Sequence, residues 1–150
     1  MHARIARICT SFIDYPGKTA LAIYFAGCSI RCPECQNKEL WDAGKGISMT
    51  SATVIEKIKN HPLAEAVVFL GGEPTDQIDF LTVLCAQITE TCHKDAALYT
   101  GREFEALPQD LLQYLQLIVC GPYRKELHVN TWPASSNQRV FKKEAGQWKC

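Results

Sequence analysis

Four short apolar runs, each closed by glycine, constrain this chain more than any other feature. Ala20 to Ala26 ends at Gly27, Ala66 to Leu70 at Gly71-Gly72, Ala96 to Thr100 at Gly101, and Leu117 to Cys120 at Gly121-Pro122. Each is continuously apolar rather than alternating, which is the pattern of a strand buried on both faces of a parallel sheet. Helical periodicity fills the gaps. Ser48 to Ser51 can cap a helix running to about Asn60, with Val54, Ile55 and Ile58 apolar and Pro62 beyond its end. Ile78, Leu81, Cys85, Ile88 and Cys92 recur at helical spacing, and Phe104, Leu107, Leu111 and Leu115 mark a third helix whose firm start Pro108 delays. The expected fold is α/β, with parallel strands joined by helices. Four strands are too few for a closed eightfold barrel, so a partial (β/α) barrel is predicted. From Gly121 to Cys150 the chain turns polar, and Glu144-Ala145-Gly146 can turn a terminal hairpin that pairs Val140-Phe141 with Trp148. Residues 1–150 are expected to form one domain, with 121–150 its C-terminal extension.

Eight cysteines sit in this framework, and three of them fall within eight residues: Cys28-Ser29-Ile30-Arg31-Cys32-Pro33-Glu34-Cys35. A compact loop of this kind can aim three sulfurs at one centre. Three thiolates exceed a redox pair, whereas a structural zinc site needs a fourth Cys or His. The next histidine is His61, far along the chain. The site is read as an iron–sulfur cluster with one open iron; zinc completed from a distance and incidental thiols are the alternatives. Cys85 and Cys92 read as small buried hydrophobes on a helix, Cys9 and Cys120 as strand residues, and Cys150 as a solvent-facing thiol.

The opening Met1-His2-Ala3-Arg4-Ile5 carries no signal-peptide pattern, and no run of eighteen apolar residues offers a membrane span. A reduced, cytoplasmic setting is therefore expected, in which so many thiols call for metal, catalysis or burial. With 16 Lys+Arg against 16 Asp+Glu there is no net charge to hold nucleic acid electrostatically.

Ligands of parallel sheets bind at the carboxyl ends of the strands. The cysteine loop, Gly71-Gly72-Glu73-Pro74, Thr100-Gly101 and Gly121-Pro122 should thus share one rim. Paired glycines let backbone approach a ligand closely, and Glu73 offers a carboxylate to an amine. Lys18 and Arg31 are read as bordering the cysteine loop, mainly as solvated surface. Trp132 and Trp148 are read as packing under the hairpin or meeting a partner.

Cys28-x3-Cys32-x2-Cys35 followed by Gly71-Gly72-Glu73-Pro74 resembles the two signature motifs of the radical S-adenosylmethionine superfamily. Asp14-Tyr15-Pro16-Gly17, Ala26-Gly27-Cys28 and Asn37 are similar to the glycyl-radical-enzyme activases within it. Tyr99-Thr100-Gly101 and Ser135-Ser136-Asn137-Gln138-Arg139 resemble the activases that serve anaerobic ribonucleotide reductase. The resemblance implies a 4Fe-4S cluster held by Cys28, Cys32 and Cys35, with S-adenosylmethionine on the open iron. It also implies cofactor contacts from Glu34, Gln36, Asn37, Gly71, Gly72, Glu73 and Thr100. Reductive cleavage would give a 5′-deoxyadenosyl radical that takes hydrogen from a glycine of the reductase. The electron would come from a donor such as flavodoxin or ferredoxin.

Three positions depart from the family pattern. Glu34 stands where an aromatic or small residue is usual, Gln36 where His is usual, and Cys120 where these activases carry Asp. The alternatives are activation of another glycyl radical enzyme, of formate-lyase type, a zinc-binding interaction module, or a simple electron-transfer protein. The last would normally close its cluster with a fourth cysteine.

Overall fold

The computed structural model describes residues 1–31, 38–127, 129, 132–133 and 135–150, apart from the side chains of Lys38 and Lys125. Among these residues eight strands form one sheet. In chain order they are β1 (His2–Ser11), β2 (Ala20–Phe25), β3 (Ile47–Thr50), β4 (Ala66–Gly71), β5 (Asp95–Thr100), β6 (Leu117–Cys120), β7 (Arg139–Glu144) and β8 (Gln147–Lys149). Their spatial order is β3-β1-β2-β4-β5-β6-β7-β8. The central block β2-β4-β5-β6 is parallel, and those four strands are the apolar runs of the sequence. Both flanks are antiparallel: β1 pairs with β2 and β3, and β7 pairs with β6 and β8. The expected parallel strands and terminal hairpin are thus parts of one mixed sheet, to which β1 and β3 add an unforeseen antiparallel flank. Flanking strands can join the sheet antiparallel because they are half exposed and need no crossover helix.

Among the described residues three α-helices pack on one face. The first, α1 (Ser51–Lys59), starts at Thr50, whose hydroxyl accepts the Thr53 N–H at 3.1 Å. Its buried residues Val54, Ile55 and Ile58 face the sheet. The second, α2 (Ile78–Gln87), buries Phe80, Leu81, Leu84 and Cys85 and runs into a π-helical turn, Ile88–Cys92, closed by His93 in the left-handed conformation. The third, α3 (Gln109–Leu112), is one turn long because Pro108 bars the periodic pattern from starting earlier, leaving Phe104–Ala106 as a separate 3-10 turn. Strand residues Leu21, Ile23, Phe25, Val67, Phe69, Leu98 and Ile118 form the core beneath these helices. The opposite face is built from small residues, Ala20, Ala22, Ala66, Val68 and Ala97, over which Tyr15, Tyr24 and Tyr99 lie. Burial on both faces explains why the central strands read as unbroken apolar runs.

The terminal hairpin forms, with Ala145 and Gly146 both at positive φ in its turn. Trp148 lies opposite Lys143 rather than Val140-Phe141, a shift of register set by this two-residue turn. The indole packs edge-on against Phe104, whose ring stacks on Phe141 at 4.1 Å. Among the described residues no helix is long and apolar enough to cross a membrane.

Candidate iron–sulfur site

The parallel block delivers its loops to one rim. β2 ends at Phe25 and the chain continues through Ala26 and Gly27 to Cys28. The neck of the cysteine loop is pinched by two backbone bonds, Gly27 N–H to the Leu40 carbonyl at 2.7 Å and Cys28 N–H to that of Trp41 at 3.1 Å. The loop after β4 locks against it. Gly72 N–H donates to the Phe25 carbonyl at 2.8 Å, and Glu73 N–H to the Gly27 carbonyl at 2.7 Å. A Cβ on Gly72 would lie 2.1 Å from the Gly27 oxygen, and one on Gly71, itself at φ +111°, 2.6 Å from the Phe25 nitrogen. Gly72 is therefore demanded by the cysteine loop's own backbone, and Gly71 by the end of β2.

Glu73 is buried, at 1% exposure, and its carboxylate takes four donors from the described residues. Oε2 accepts the Thr75 N–H at 3.0 Å, the Thr75 hydroxyl at 2.6 Å and the Thr100 hydroxyl at 2.7 Å. Oε1 accepts the Gly101 N–H, at 2.8 Å. Thr100, placed among the cofactor contacts by resemblance, spends its hydroxyl proton on Glu73 and accepts from the Arg102 N–H at 3.1 Å. Ile30 of the cysteine loop lies over Gly101, where a Cβ would come 2.6 Å from its Cδ1.

Cys28 is half-buried. Burial pushes its thiol pKa up, opposed by the backbone N–H groups of Arg31 and Ile30. The Arg31 N–H donates to Cys28 Sγ at 3.4 Å, with Arg31 at φ +49°. An N–H aimed at sulfur favours the thiolate, the form in which cysteine holds iron, so this part of the loop fits a cluster ligand. Cys32, Glu34, Cys35, Gln36 and Asn37 lie outside the described residues. Of the other cysteines, Cys85 and Cys120 are buried, Cys9 and Cys92 are half-buried and Cys150 is exposed. Cys120 Sγ donates to the Arg139 carbonyl at 3.6 Å, and its side chain belongs to the core beneath the helices.

Lys18 is not at this rim. Its ammonium lies 3.9 Å from Asp95 at the start of β5, on the opposite edge of the parallel block, which corrects its placement beside the cysteine loop. Arg31 does belong to that loop, donating from Nε to the Cys28 carbonyl at 3.2 Å. Trp132 is partly exposed and its indole N–H donates to the Tyr99 hydroxyl. Ser135, Asn137 and Gln138 fix the loop after β6: Asn137 Nδ2 donates to the Pro122 carbonyl at 2.9 Å and Gln138 Nε2 to that of Gly121 at 3.2 Å. Ser29, Asp76 and Arg102 were missed in the sequence, although each follows a signature residue closely, after Cys28, Glu73 and Gly101.

Residues 14–141 match the family described as a 4Fe-4S single cluster domain, which sets the class of the rim. Over 149 residues the chain is 30% identical to the anaerobic ribonucleoside-triphosphate reductase-activating protein of Enterobacteria phage T4, spanning 92% of both. It is 27% identical over 140 residues to the protein of that name from Escherichia coli K12, covering 85% of this chain and 90% of the other. QueE from Escherichia coli has a similar fold, with a TM-score of 0.63 at 17% identity over 83% of this chain and 61% of QueE. The chain belongs to the 4Fe-4S single-cluster family and, within the radical S-adenosylmethionine superfamily, to the anaerobic ribonucleoside-triphosphate reductase-activating proteins.

Proposed function

We propose that the chain activates an anaerobic ribonucleoside-triphosphate reductase by installing a glycyl radical on it. The observation that carries this reading is the convergence of the Cys28 loop, Gly71-Gly72-Glu73 and Thr100-Gly101 on one rim, in a chain that matches the T4 activating protein along 92% of both lengths. Cys28, Cys32 and Cys35 would hold the cluster, leaving one iron for S-adenosylmethionine. When bound, the reduced cluster supplies the electron that splits S-adenosylmethionine into methionine and a radical able to take hydrogen from a glycine Cα.

The protein's own share is to bind, orient and exclude water. Glu73 Oε1 and the backbone of Gly71 and Gly72 would meet the amino group of the cofactor. Thr75 and Thr100 hold that carboxylate in place rather than touching the cofactor themselves. Glu34, Gln36 and Asn37 would border the adenine, and the parallel block would serve as the partial barrel around the reaction. The electron donor would be a flavodoxin or ferredoxin, and the setting the reduced cytoplasm, where thiolates persist.

The test is anaerobic reconstitution with iron and sulfide, reduction, and addition of S-adenosylmethionine. 5′-Deoxyadenosine should form and should be lost with Cys32→Ala. A glycyl radical signal in electron paramagnetic resonance should then appear on the reductase and not on a formate-lyase offered in its place. No nucleoside product under strong reduction would sink the proposal.

A further inference from the structure

Three polar residues at the rim have no part in the reading above. Ser29 follows Cys28, Asp76 lies in the 3-10 turn after Glu73, and Arg102 follows Gly101. Asp76 Oδ2 accepts the Ser29 backbone N–H at 2.7 Å, and Oδ1 accepts the Ser29 hydroxyl at 2.7 Å. Arg102 Nη2 donates to Asp76 Oδ1 at 2.8 Å and to Ser29 Oγ at 3.3 Å, while Nε donates to Thr75 Oγ1 at 2.8 Å. The Thr75 hydroxyl in turn donates to Glu73 Oε2. A continuous set of bonds thus runs from the residue beside the first cysteine, through a carboxylate and a guanidinium, to the buried Glu73.

An exposed ion pair contributes little when two flexible side chains must be frozen to make it. This pair is only partly exposed, at 41% for Arg102 and 23% for Asp76, and each group is held at more than one point. Among the described residues Asp76 takes three donors, two of them from Ser29 alone. Charge-assisted bonds of this geometry are the stronger kind. The sheet does not depend on them, because Gly72 and Glu73 already join β2 and β4 through backbone bonds. What the three residues add is control of residues 28–30 beyond the sheet.

We infer that Ser29, Asp76 and Arg102 form a clamp that positions Cys28 for the cluster and slows its loss. This rests on the iron–sulfur reading. All three are positioning residues: they act through Cys28 and Glu73.

The test uses the full chain as wild type, Asp76→Ala, Arg102→Ala and Arg102→Lys, each without iron and after anaerobic reconstitution. In the iron-free protein, hydrogen exchange at the Ser29 amide should speed up about tenfold or more in Asp76→Ala, as expected on losing a charged acceptor. The thermal midpoint of that iron-free variant should stay within about 4 °C of wild type, the range of a change outside the core. After reconstitution, decay of cluster absorbance in excess chelator should be about tenfold faster in Asp76→Ala and Arg102→Ala. Arg102→Lys, which keeps the charge and loses the fork, should fall between. Equal cluster lifetimes in wild type and Asp76→Ala overturn the clamp alone. So does a collapse of the iron-free melting transition in both Asp76→Ala and Arg102→Lys, which would make the trio a requirement of folding. A wild type that takes up no cluster overturns the iron–sulfur reading, and the clamp with it.

Discussion

Gly101 donates its backbone N–H to Glu73 Oε1 at 2.8 Å, joining the loop after β5 to the loop after β4 through a carboxylate that water scarcely reaches. An unpaired buried acceptor or donor costs more than the bond itself contributes, so this contact has a measurable signature. Glu73→Gln sets an amide NH2 against either the Gly101 N–H or the two threonines. The expected loss is about 1–3 kcal/mol in urea unfolding of the iron-free chain. Thr100→Val should cost less in the Glu73→Gln background than alone, since the two residues share one network.

The rim glycines should separate cleanly by what a methyl group would strike. At Gly72 the obstacle is the Gly27 carbonyl, which is backbone and fixed by its own bond to Glu73. At Gly101 it is the far end of the Ile30 side chain, which can rotate away. Gly72→Ala is expected to destabilise the fold by about 3 kcal/mol or more, and Gly101→Ala by under about 1 kcal/mol. Denaturant titration of the two variants side by side checks this, and equal losses would contradict it.

Thiol reactivity should follow burial. In the native iron-free chain at mildly alkaline pH, iodoacetamide should modify the exposed Cys150 rapidly and leave Cys85 untouched until the protein unfolds. Burial alone drives the Cys85 thiol far above its ordinary range. Cys120→Ala should leave the iron content of reconstituted protein unchanged, because its sulfur is turned into the core. Peptide mapping by mass spectrometry reads the first outcome and iron analysis the second.

Alkali should loosen the tyrosine-lined face of the sheet. Burial, then the charge and hydrogen bond of Asp95, raise the Tyr15 phenol above its ordinary 10.0. Burial, only partly offset by the Trp132 indole N–H, raises Tyr99 in the same direction. The fold therefore favours both phenols in the neutral form. Their contribution is fully present below pH 10.0 and is lost as the pH climbs above it, because the unfolded chain ionises first. The melting temperature should fall progressively above about pH 10, and more gently in Tyr15→Phe. A profile identical in wild type and Tyr15→Phe would refute this.

The central strands were legible because burial on both faces removes polar residues from β2, β4, β5 and β6. The β7–β8 hairpin was legible from its turn, but β1 and β3 were not. β1 alternates Arg4 and Arg7 with the buried Ala3 and Ile5, and β3 is a four-residue edge with Ile47 exposed, so neither carries an apolar run. The motifs placed Cys28, Glu73 and Gly101 on one rim correctly, since strand polarity alone dictates which loops converge. Asp76 and Arg102 escaped notice because a lone Asp and a lone Arg read as solvated surface until the fold sets them 2.8 Å apart. Lys18 was misplaced for a related reason. Proximity in sequence to a loop says nothing about which end of the intervening strand a side chain occupies.

The contact between Gly72 and the Gly27 carbonyl also bears on how such a scaffold can be re-engineered. With no space for even a methyl group between them, the loop after β2 and the loop after β4 form a single mechanical part. A designer wishing to redirect the scaffold toward a different protein partner would keep that part whole. Diversity would go instead into the connection between β6 and β7, where the Asn137 and Gln138 side-chain amides reach the Pro122 and Gly121 carbonyls.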